Sequence, residues 1–345
     1  MKKQLFKTVA FFMEIKTERK IRMDVKKVTV VGGGVLGSQI AFQSAFCGYD
    51  TVLWLRSEGS IGRTMPKLEM VRDNYLKSLA KMNETHSPED LCRGLVDSYA
   101  DFDYEALVKR TNETFENMKN SIELDLAKAV EDADLVIESM TENFDAKKDM
   151  FLQLAKVMPE KTVICTNSSS LLPSKFTKFT GRPDRFLALH FANDIYRNNA
   201  AEIMCTKDTS EESFETVVKF AEGINMIPLK LKKEKAGYLL NSMLIPFLLS
   251  AMDLYVDGIS DYRDINDAWV LGTGAPAGPF EIFDIVGINT AYEIIKPYVK
   301  IPRFITKHNF KGQAEILEKM IKEGNVGKAA GKGFYKYDEK GNRID

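Results

Sequence analysis

The sequence predicts an α/β domain followed by an all-α domain, and three observations support this prediction. Apolar strand patterns alternate with helical patterns from Val28 to Leu231. A glycine-rich turn joins the first strand pattern to the first helical pattern. After Leu231 the strand patterns stop, and the later segments are helical and broken by glycine and proline. We therefore expect an α/β domain over residues 23–232 and a helical domain over 233–345.

The elements of the first domain are predicted in order along the chain. The strand patterns cover residues 28–31, 51–55, 134–138, 162–166, 186–190, 202–205 and 227–231. Three helical patterns cover residues 36–47, 66–82 and 145–157. A further helix is predicted through Leu126 and Val130, and another ends near Gly223. Thr209 with Glu212 predicts a capping box for that last helix. Residues 83–120 are polar and mixed, and we expect helices there.

The composition argues against several classes of protein. The chain carries 48 Lys and Arg against 49 Asp and Glu, a balance that argues against a general nucleic-acid binder. The longest apolar stretch, 238–255, is interrupted by polar residues, so no membrane span is expected. The four cysteines are far apart, which argues against a metal site or disulfides and favours the cytoplasm. Residues 1–22, which precede Met23, are expected to be an extension outside the fold.

The glycine turn reads Gly32-Gly33-Gly34-Val35-Leu36-Gly37. It follows a strand, opens a helix and precedes a second strand, which is the context that makes a GxGxxG motif informative. Such a turn lets the backbone approach a pyrophosphate, which then lies at the helix N-terminus. The motif predicts a Rossmann-type dinucleotide site, with cofactor contacts from Gly32, Gly34, Val35, Leu36 and Gly37.

The end of the second strand leaves the choice of dinucleotide open. NAD sites commonly have an acid there, because a carboxylate binds the ribose hydroxyls. This chain has Leu55 followed by Arg56 at that position. Arg56 could bind the 2′-phosphate of NADP, or it could stack on the adenine while NAD binds.

The candidate catalytic residues lie at strand ends. Of the three histidines, His190 closes an apolar strand, where ligands of open α/β sheets bind. A histidine there suits proton transfer during alcohol oxidation, although a lone histidine is more often a satisfied core or surface residue. Ser169 also follows a strand. Glu202 is either the partner of His190 or a solvated acid, and Asn241 bonds either local backbone or the substrate carbonyl.

The chain resembles the 3-hydroxyacyl-CoA dehydrogenase family from about residue 24 onward. The resemblance is carried by ordered motifs, at 32–37, 133–138, 141–143, 167–171, 182–186, 189–191, 237–241, 274–280 with Asp284 and Gly287, and 331–335.

The resemblance implies a Rossmann-type domain, a helical domain that forms homodimers, and a small-molecule substrate. It implies His190 as the base and Glu202 as its partner, with Ser169 and Asn241 at the substrate oxygens. It also places Glu142, Lys147 and Asn167 near the cofactor. The activity it implies is hydride transfer between NAD or NADP and the C3 position of a short-chain 3-hydroxyacyl-CoA or 3-oxoacyl-CoA.

The chain departs from the family pattern in three places. Residues 192–194 are Ala-Asn-Asp where Phe-Asn-Pro is usual after the histidine, residues 236–238 are Ala-Gly-Tyr instead of Pro-Gly-Phe, and Leu55 replaces the acid. Two alternatives therefore stay open. One is a dehydrogenase of a free 3-hydroxy acid such as gulonate or carnitine. The other is a catalytically silent dinucleotide-binding protein.

Overall fold

The computed structural model describes residues 25–339 and 341–345, so the predicted extension over residues 1–22 lies outside the described residues. The chain divides into two compact units between Leu239 and Leu240. The boundary expected near residue 233 lies a few residues earlier. Residues 233–239 belong with the first unit, where Glu234 accepts a hydrogen bond from the Ser174 amide and the Leu239 amide donates to Glu202.

In the described part of the first unit, eight strands form one sheet in the order β3-β2-β1-β4-β5-β6-β7-β8. Their bounds are β1 Lys27–Val31, β2 Asp50–Trp54, β3 Ile122–Glu123, β4 Leu135–Glu138, β5 Val163–Thr166, β6 Phe186–Phe191, β7 Ala200–Cys205 and β8 Ile227–Leu231. All neighbours pair in parallel except β6 and β7, which are antiparallel. A short connection of residues 192–199 joins these two strands, and a parallel crossover needs a longer one.

The central strands are mostly apolar because both faces of the sheet are covered, and their polar residues lie at or near their C-terminal ends. Every residue of β4, β5 and β6 is buried. The helices of this unit are α1 Val35–Phe46, α2 Glu58–Thr85, α3 Tyr104–Asn120, α4 Leu126–Val130, α5 Phe144–Val157 and α6 Glu211–Gly223. The predicted α/β Rossmann-type domain is confirmed, and the mutually parallel strands β1 to β6 end at one edge, which is where ligands of such sheets bind.

Two local predictions differ from the structure, and one strand has no predicted counterpart. Helix α2 begins at Glu58, eight residues before the predicted start, and Pro66 lies inside it. Strand β3 has only two residues, too short to show a pattern. The predicted capping box of Thr209 is wrong, because Ser210 caps α6 by accepting from the Ser213 amide. The Thr209 hydroxyl instead donates to the Phe186 carbonyl.

The second unit is helical, as predicted. It contains α7 Leu240–Val256, α8 Tyr262–Thr273, α9 Pro279–Val286, α10 Ile288–Ile295, α11 Arg303–Thr306 and α12 Phe310–Lys322. Buried Asp284 on α9 accepts hydrogen bonds from the Phe334 and Tyr335 amides, which fastens the C-terminal tail to this helix. No helix in the described ranges is long and apolar enough to cross a membrane.

Candidate active site

A cavity of about 790 Å³ opens at the strand ends of the first unit. Its wall consists of the glycine turn, the segment after β2, the segment after β4 and the segment after β5. The predicted cofactor residues on this wall are Gly32, Gly34, Val35, Leu36, Gly37, Leu55, Arg56, Glu142 and Asn167. Lys147 is not one of the lining residues.

The glycine turn has the geometry that a dinucleotide requires. A β-carbon built on Gly37 would lie 2.0 Å from the Gly32 carbonyl oxygen, so only glycine lets α1 approach β1 this closely. A β-carbon on Gly34 would meet nothing nearer than 3.9 Å, although Gly34 lines the cavity. Internal packing therefore does not require glycine at position 34, whereas close approach of a pyrophosphate does. The residues present fit a dinucleotide.

His190 and Glu202 form a buried pair. They lie directly opposite each other on the antiparallel strands β6 and β7. The Nδ1 atom of His190 is 2.9 Å from Oε2 of Glu202, and each side chain is 5% exposed. The other carboxylate oxygen accepts from the Leu239 amide at 2.8 Å. Because an ionised carboxylate can only accept, Nδ1 donates to Glu202 and the lone pair of the ring lies on Nε2.

Ser169 connects this pair to the cavity. Its hydroxyl lies 3.2 Å from Nε2 of His190, and Ser169 is exposed on the cavity wall. The structure therefore brings His190, Glu202 and Ser169 together. Asn241 lies half-buried in the first turn of α7, in the other unit.

Tyr238 supports the imidazole from one face. Its ring stacks on His190 with centroids 4.3 Å apart and planes 12° apart. Its hydroxyl donates to the Ser168 carbonyl at 2.8 Å. Burial, with smaller contributions from Glu142 and Glu202, raises the pKa of Tyr238 well above its ordinary value, so this hydroxyl stays protonated. Tyr238 thereby ties the histidine to the serine segment after β5.

Glu142 holds that serine segment from the other side. One carboxylate oxygen accepts from the Ser168 hydroxyl at 2.6 Å and from the Ser170 amide at 2.7 Å. Burial raises the pKa of Glu142, but these hydrogen bonds and nearby Lys147 outweigh burial, so its pKa is lowered. Glu142 is therefore a carboxylate at neutral pH.

Lys147 lies in the protein interior, 1% exposed, with its ammonium 2.7 Å from the buried Glu138 carboxylate. Glu138 also accepts from the Thr166 hydroxyl and the Met140 amide. A buried charge of this kind must be paired and hydrogen-bonded to be tolerated. The pair thus fixes the segment after β4 against the end of β5, directly behind the cavity wall.

Comparison with known proteins decides the family. Residues 27–234 match the family described as 3-hydroxyacyl-CoA dehydrogenase, NAD binding domain, and residues 237–337 match its C-terminal domain. The human mitochondrial hydroxyacyl-coenzyme A dehydrogenase is 32% identical over 313 residues, covering 91% of each chain. The chain belongs to the 3-hydroxyacyl-CoA dehydrogenase family.

Two further relatives cover nearly the whole chain. The 3-hydroxybutyryl-CoA dehydrogenase of Clostridioides difficile is 29% identical, covering 91% of this chain and all of its own. A solved diketoreductase, described as performing substrate-directed dual catalysis of dicarbonyl compounds, is 42% identical with a TM-score of 0.74, over 91% of this chain and all of its own. The predicted family, the oxidoreductase class and an NAD-binding domain are confirmed.

The segment after His190 differs from the usual family pattern for a structural reason. Asp194 has a φ of 57°, and its amide donates to the Gln39 side chain at 2.8 Å. Proline could do neither, because its ring fixes φ near −65° and removes the N–H. The conformation at position 194 therefore excludes proline, and the connection between β6 and β7 is fastened to α1 through Gln39.

Several residues of the site were not predicted from sequence. Ser57, Ser60, Arg63 and Lys67 line the cavity, and Ser60 and Arg63 lie in the part of α2 that precedes its predicted start. Their spacing of three and four residues is a helical signal that could have found them. Nothing local in the sequence indicates that Tyr238 stacks on His190.

Proposed function

We propose that this protein transfers a hydride between a nicotinamide dinucleotide and the C3 position of a short-chain 3-hydroxyacyl-CoA or 3-oxoacyl-CoA. One observation supports this most strongly. Ser169, on the wall of the dinucleotide cavity, is within hydrogen-bond distance of Nε2 of His190, and Glu202 holds the opposite nitrogen. A base oriented by a carboxylate at the mouth of a dinucleotide site is the arrangement that alcohol oxidation needs.

The proton transfer follows from the tautomer of His190. The bound nicotinamide ring would accept the hydride during oxidation and donate it during reduction. During oxidation, Nε2 takes the proton of the C3 hydroxyl as the C–H bond breaks, which leaves an imidazolium. The Glu202 carboxylate, 2.9 Å from Nδ1, stabilises that charge. During reduction the imidazolium returns the proton to the forming alkoxide.

The remaining predicted residues have proposed supporting roles. The Ser169 hydroxyl orients the substrate oxygen, since it already bonds the base. Asn241 would donate to a substrate carbonyl. Glu142 and Asn167 line the dinucleotide cavity, and Lys147 fixes the wall behind it.

The substrate is tested with the purified full chain. NADH and NADPH are each offered with acetoacetyl-CoA, acetoacetate and pentane-2,4-dione, and cofactor absorbance is followed. We expect the highest kcat/KM with acetoacetyl-CoA, and a kcat about 10²–10⁴-fold lower for the His190→Ala variant. Failure of every 3-oxo compound, with the cofactor still bound, would contradict the proposal and favour a silent binding protein.

A second candidate is the reduction of free dicarbonyl compounds. Two observations favour it: the 42% identity to the diketoreductase and the altered loop at Asp194, close in sequence to His190. Turnover of pentane-2,4-dione or acetoacetate without turnover of acetoacetyl-CoA would support this candidate against the first.

The proposal includes a homodimer formed by the helical unit. This unit carries large apolar side chains with high exposure, among them Leu271 at 83% and Phe304 at 88%. Exposed apolar surface of this kind is typical of interaction sites.

A further inference from the structure

The end of β2 offers no carboxylate that could bind the ribose hydroxyls of NAD. Leu55 is 2% exposed and belongs to the apolar core of the first unit. A β-carbon added to Gly33 would lie 2.7 Å from its Cδ2 atom, so the side chain packs beneath the glycine turn. An acid at this position would accept hydrogen bonds from the 2′- and 3′-hydroxyls, whereas leucine has no acceptor to offer.

The next twelve residues make the adjoining cavity wall cationic. We name this wall the basic wall and define it by the lining residues Arg56, Ser57, Ser60, Arg63 and Lys67. The Arg63 guanidinium donates to the Ser60 hydroxyl at 3.0 Å, and that hydroxyl lies 3.2 Å from the Ser57 hydroxyl. Lys67 reaches toward the glycine turn, with its ammonium 3.4 Å from the Gly33 carbonyl.

The charge on this wall is not balanced by acids of the cavity. Among the described lining residues, three are cations and one, Glu142, is an acid. The Glu142 carboxylate is already engaged by Ser168 and Ser170. Glu58 lies in the first turn of α2 but does not line the cavity. An anion placed against the basic wall would therefore meet cations and hydroxyl groups, since no carboxylate belongs to that wall.

We infer that the basic wall binds the 2′-phosphate of NADP(H), and that the protein prefers NADP(H) to NAD(H). A phosphate monoester carries about two negative charges and three acceptor oxygens. Arginine recognises such a group through two parallel N–H bonds, and the serine hydroxyls can donate to its remaining oxygens. The inference rests on the part of the proposed function that places a dinucleotide in the cavity. It does not depend on which substrate the protein accepts.

The competing arrangement is Arg56 stacked on the adenine of NAD. Both arrangements use the same arginine, so activity alone does not separate them. The 2′-phosphate separates the two arrangements, because the stacking of Arg56 on the adenine is the same whether or not the ligand carries this phosphate. A binding measurement on two ligands that differ only in this phosphate is therefore decisive.

The experiment is calorimetric titration of the full chain with adenosine 2′,5′-bisphosphate and with adenosine 5′-monophosphate. NADPH and NADH are compared in parallel by fluorescence. We expect the 2′-phosphorylated member of each pair to bind about 10- to 150-fold tighter, the usual strength of hydrogen bonds to a charged group. Added salt should reduce this ratio, since the arginines are exposed.

Two variants and a matched control locate the effect. Arg56→Ala and Arg63→Ala should each weaken binding of the bisphosphate and leave binding of the monophosphate unchanged. Lys77→Ala removes an exposed cation from the same helix outside the cavity lining, and should change neither. All three positions are exposed, so the variants are expected to fold.

The outcomes separate this inference from the proposed function. Equal affinity for the two members of each pair would overturn the NADP(H) preference and leave the dehydrogenase proposal intact. An equal loss of affinity for the bisphosphate and the monophosphate in the arginine variants would also overturn the NADP(H) preference. The arginines would then bind the adenine or the 5′-phosphate, which both ligands share. Binding of none of the four nucleotides would overturn both proposals.

Discussion

Each unit of the molecule contains a histidine paired with a carboxylate, and the two pairs look alike at first. In the first unit, Nδ1 of His190 lies 2.9 Å from Glu202. In the second unit, Nδ1 of His308 lies 2.6 Å from Asp253. The pairs differ in burial, since the first side chains are each 5% exposed and the second 29% and 17%.

The two carboxylates also have different neighbours. Asp253 accepts from the Asn309 amide and the Gln313 side chain, and so fastens the start of α12 to α7. Glu202 accepts from His190 and Leu239, and its histidine leads through Ser169 to the dinucleotide cavity. The contrast teaches that a histidine–carboxylate pair is not by itself catalytic. The setting of the second ring nitrogen gives the pair its role.

The sharpest test of this contrast is to remove each histidine in turn. His190→Ala should lower kcat about 10²–10⁴-fold, the usual contribution of a general acid–base group. His308→Ala should leave kcat unchanged and lower the free energy of unfolding by about 1–3 kcal/mol, because Asp253 loses a donor. Steady-state kinetics and urea unfolding measure the two effects. Equal losses of kcat would contradict the distinction.

Neutralising the carboxylates tests the same contrast with less disruption. Glu202→Gln should lower kcat about 10- to 150-fold, since the imidazolium loses a charged hydrogen-bond partner. Affinity for the dinucleotide should not change, because Glu202 does not line the cavity. Asp253→Asn serves as the control and should leave kcat unaltered. A fall in cofactor affinity in Glu202→Gln would indicate a structural role instead.

The smallest expected effect concerns two other acids, whose pKa values move in opposite directions. Hydrogen bonds and Lys147 outweigh burial at Glu142 and lower its pKa from 4.5, so its stabilising effect is present above that pH and is lost on acidification. At Asp284 burial outweighs the hydrogen bonds and raises the pKa above its ordinary value of 3.8. The second unit should therefore lose stability as pH rises from 3.8 through this raised pKa.

Hydrogen exchange measures both effects at identified amides. Relative to Glu142→Gln, the wild-type protection of the Ser170 and Leu171 amides should grow as pH rises from about 3 to 5. Relative to Asp284→Asn, the protection of the Phe334 and Tyr335 amides should decline over the same interval. Parallel trends at the two sites would show that the balance between burial and hydrogen bonding has been misjudged.

Much of the fold could be predicted because its patterns are local. The glycine turn, the buried strands and the strand-end position of His190 each depend on a few consecutive residues. The extent of α2 could not be predicted, because residues 58–65 carry little apolar pattern and Pro66 resembles a helix start. The stacking of Tyr238 on His190 joins residues 48 positions apart in sequence, and no local pattern records such a contact.

The direct pairing of His190 with Glu202 across β6 and β7 has a consequence for how the protein can change. The partners are aligned by main-chain hydrogen bonds, which do not depend on side-chain identity in the surrounding loops. Substitutions in the connecting loop can therefore change that loop while the alignment of His190 with Glu202 persists. A one-residue slip of these strands would instead point one partner to the opposite face, which would separate the pair and abolish the proposed proton transfer.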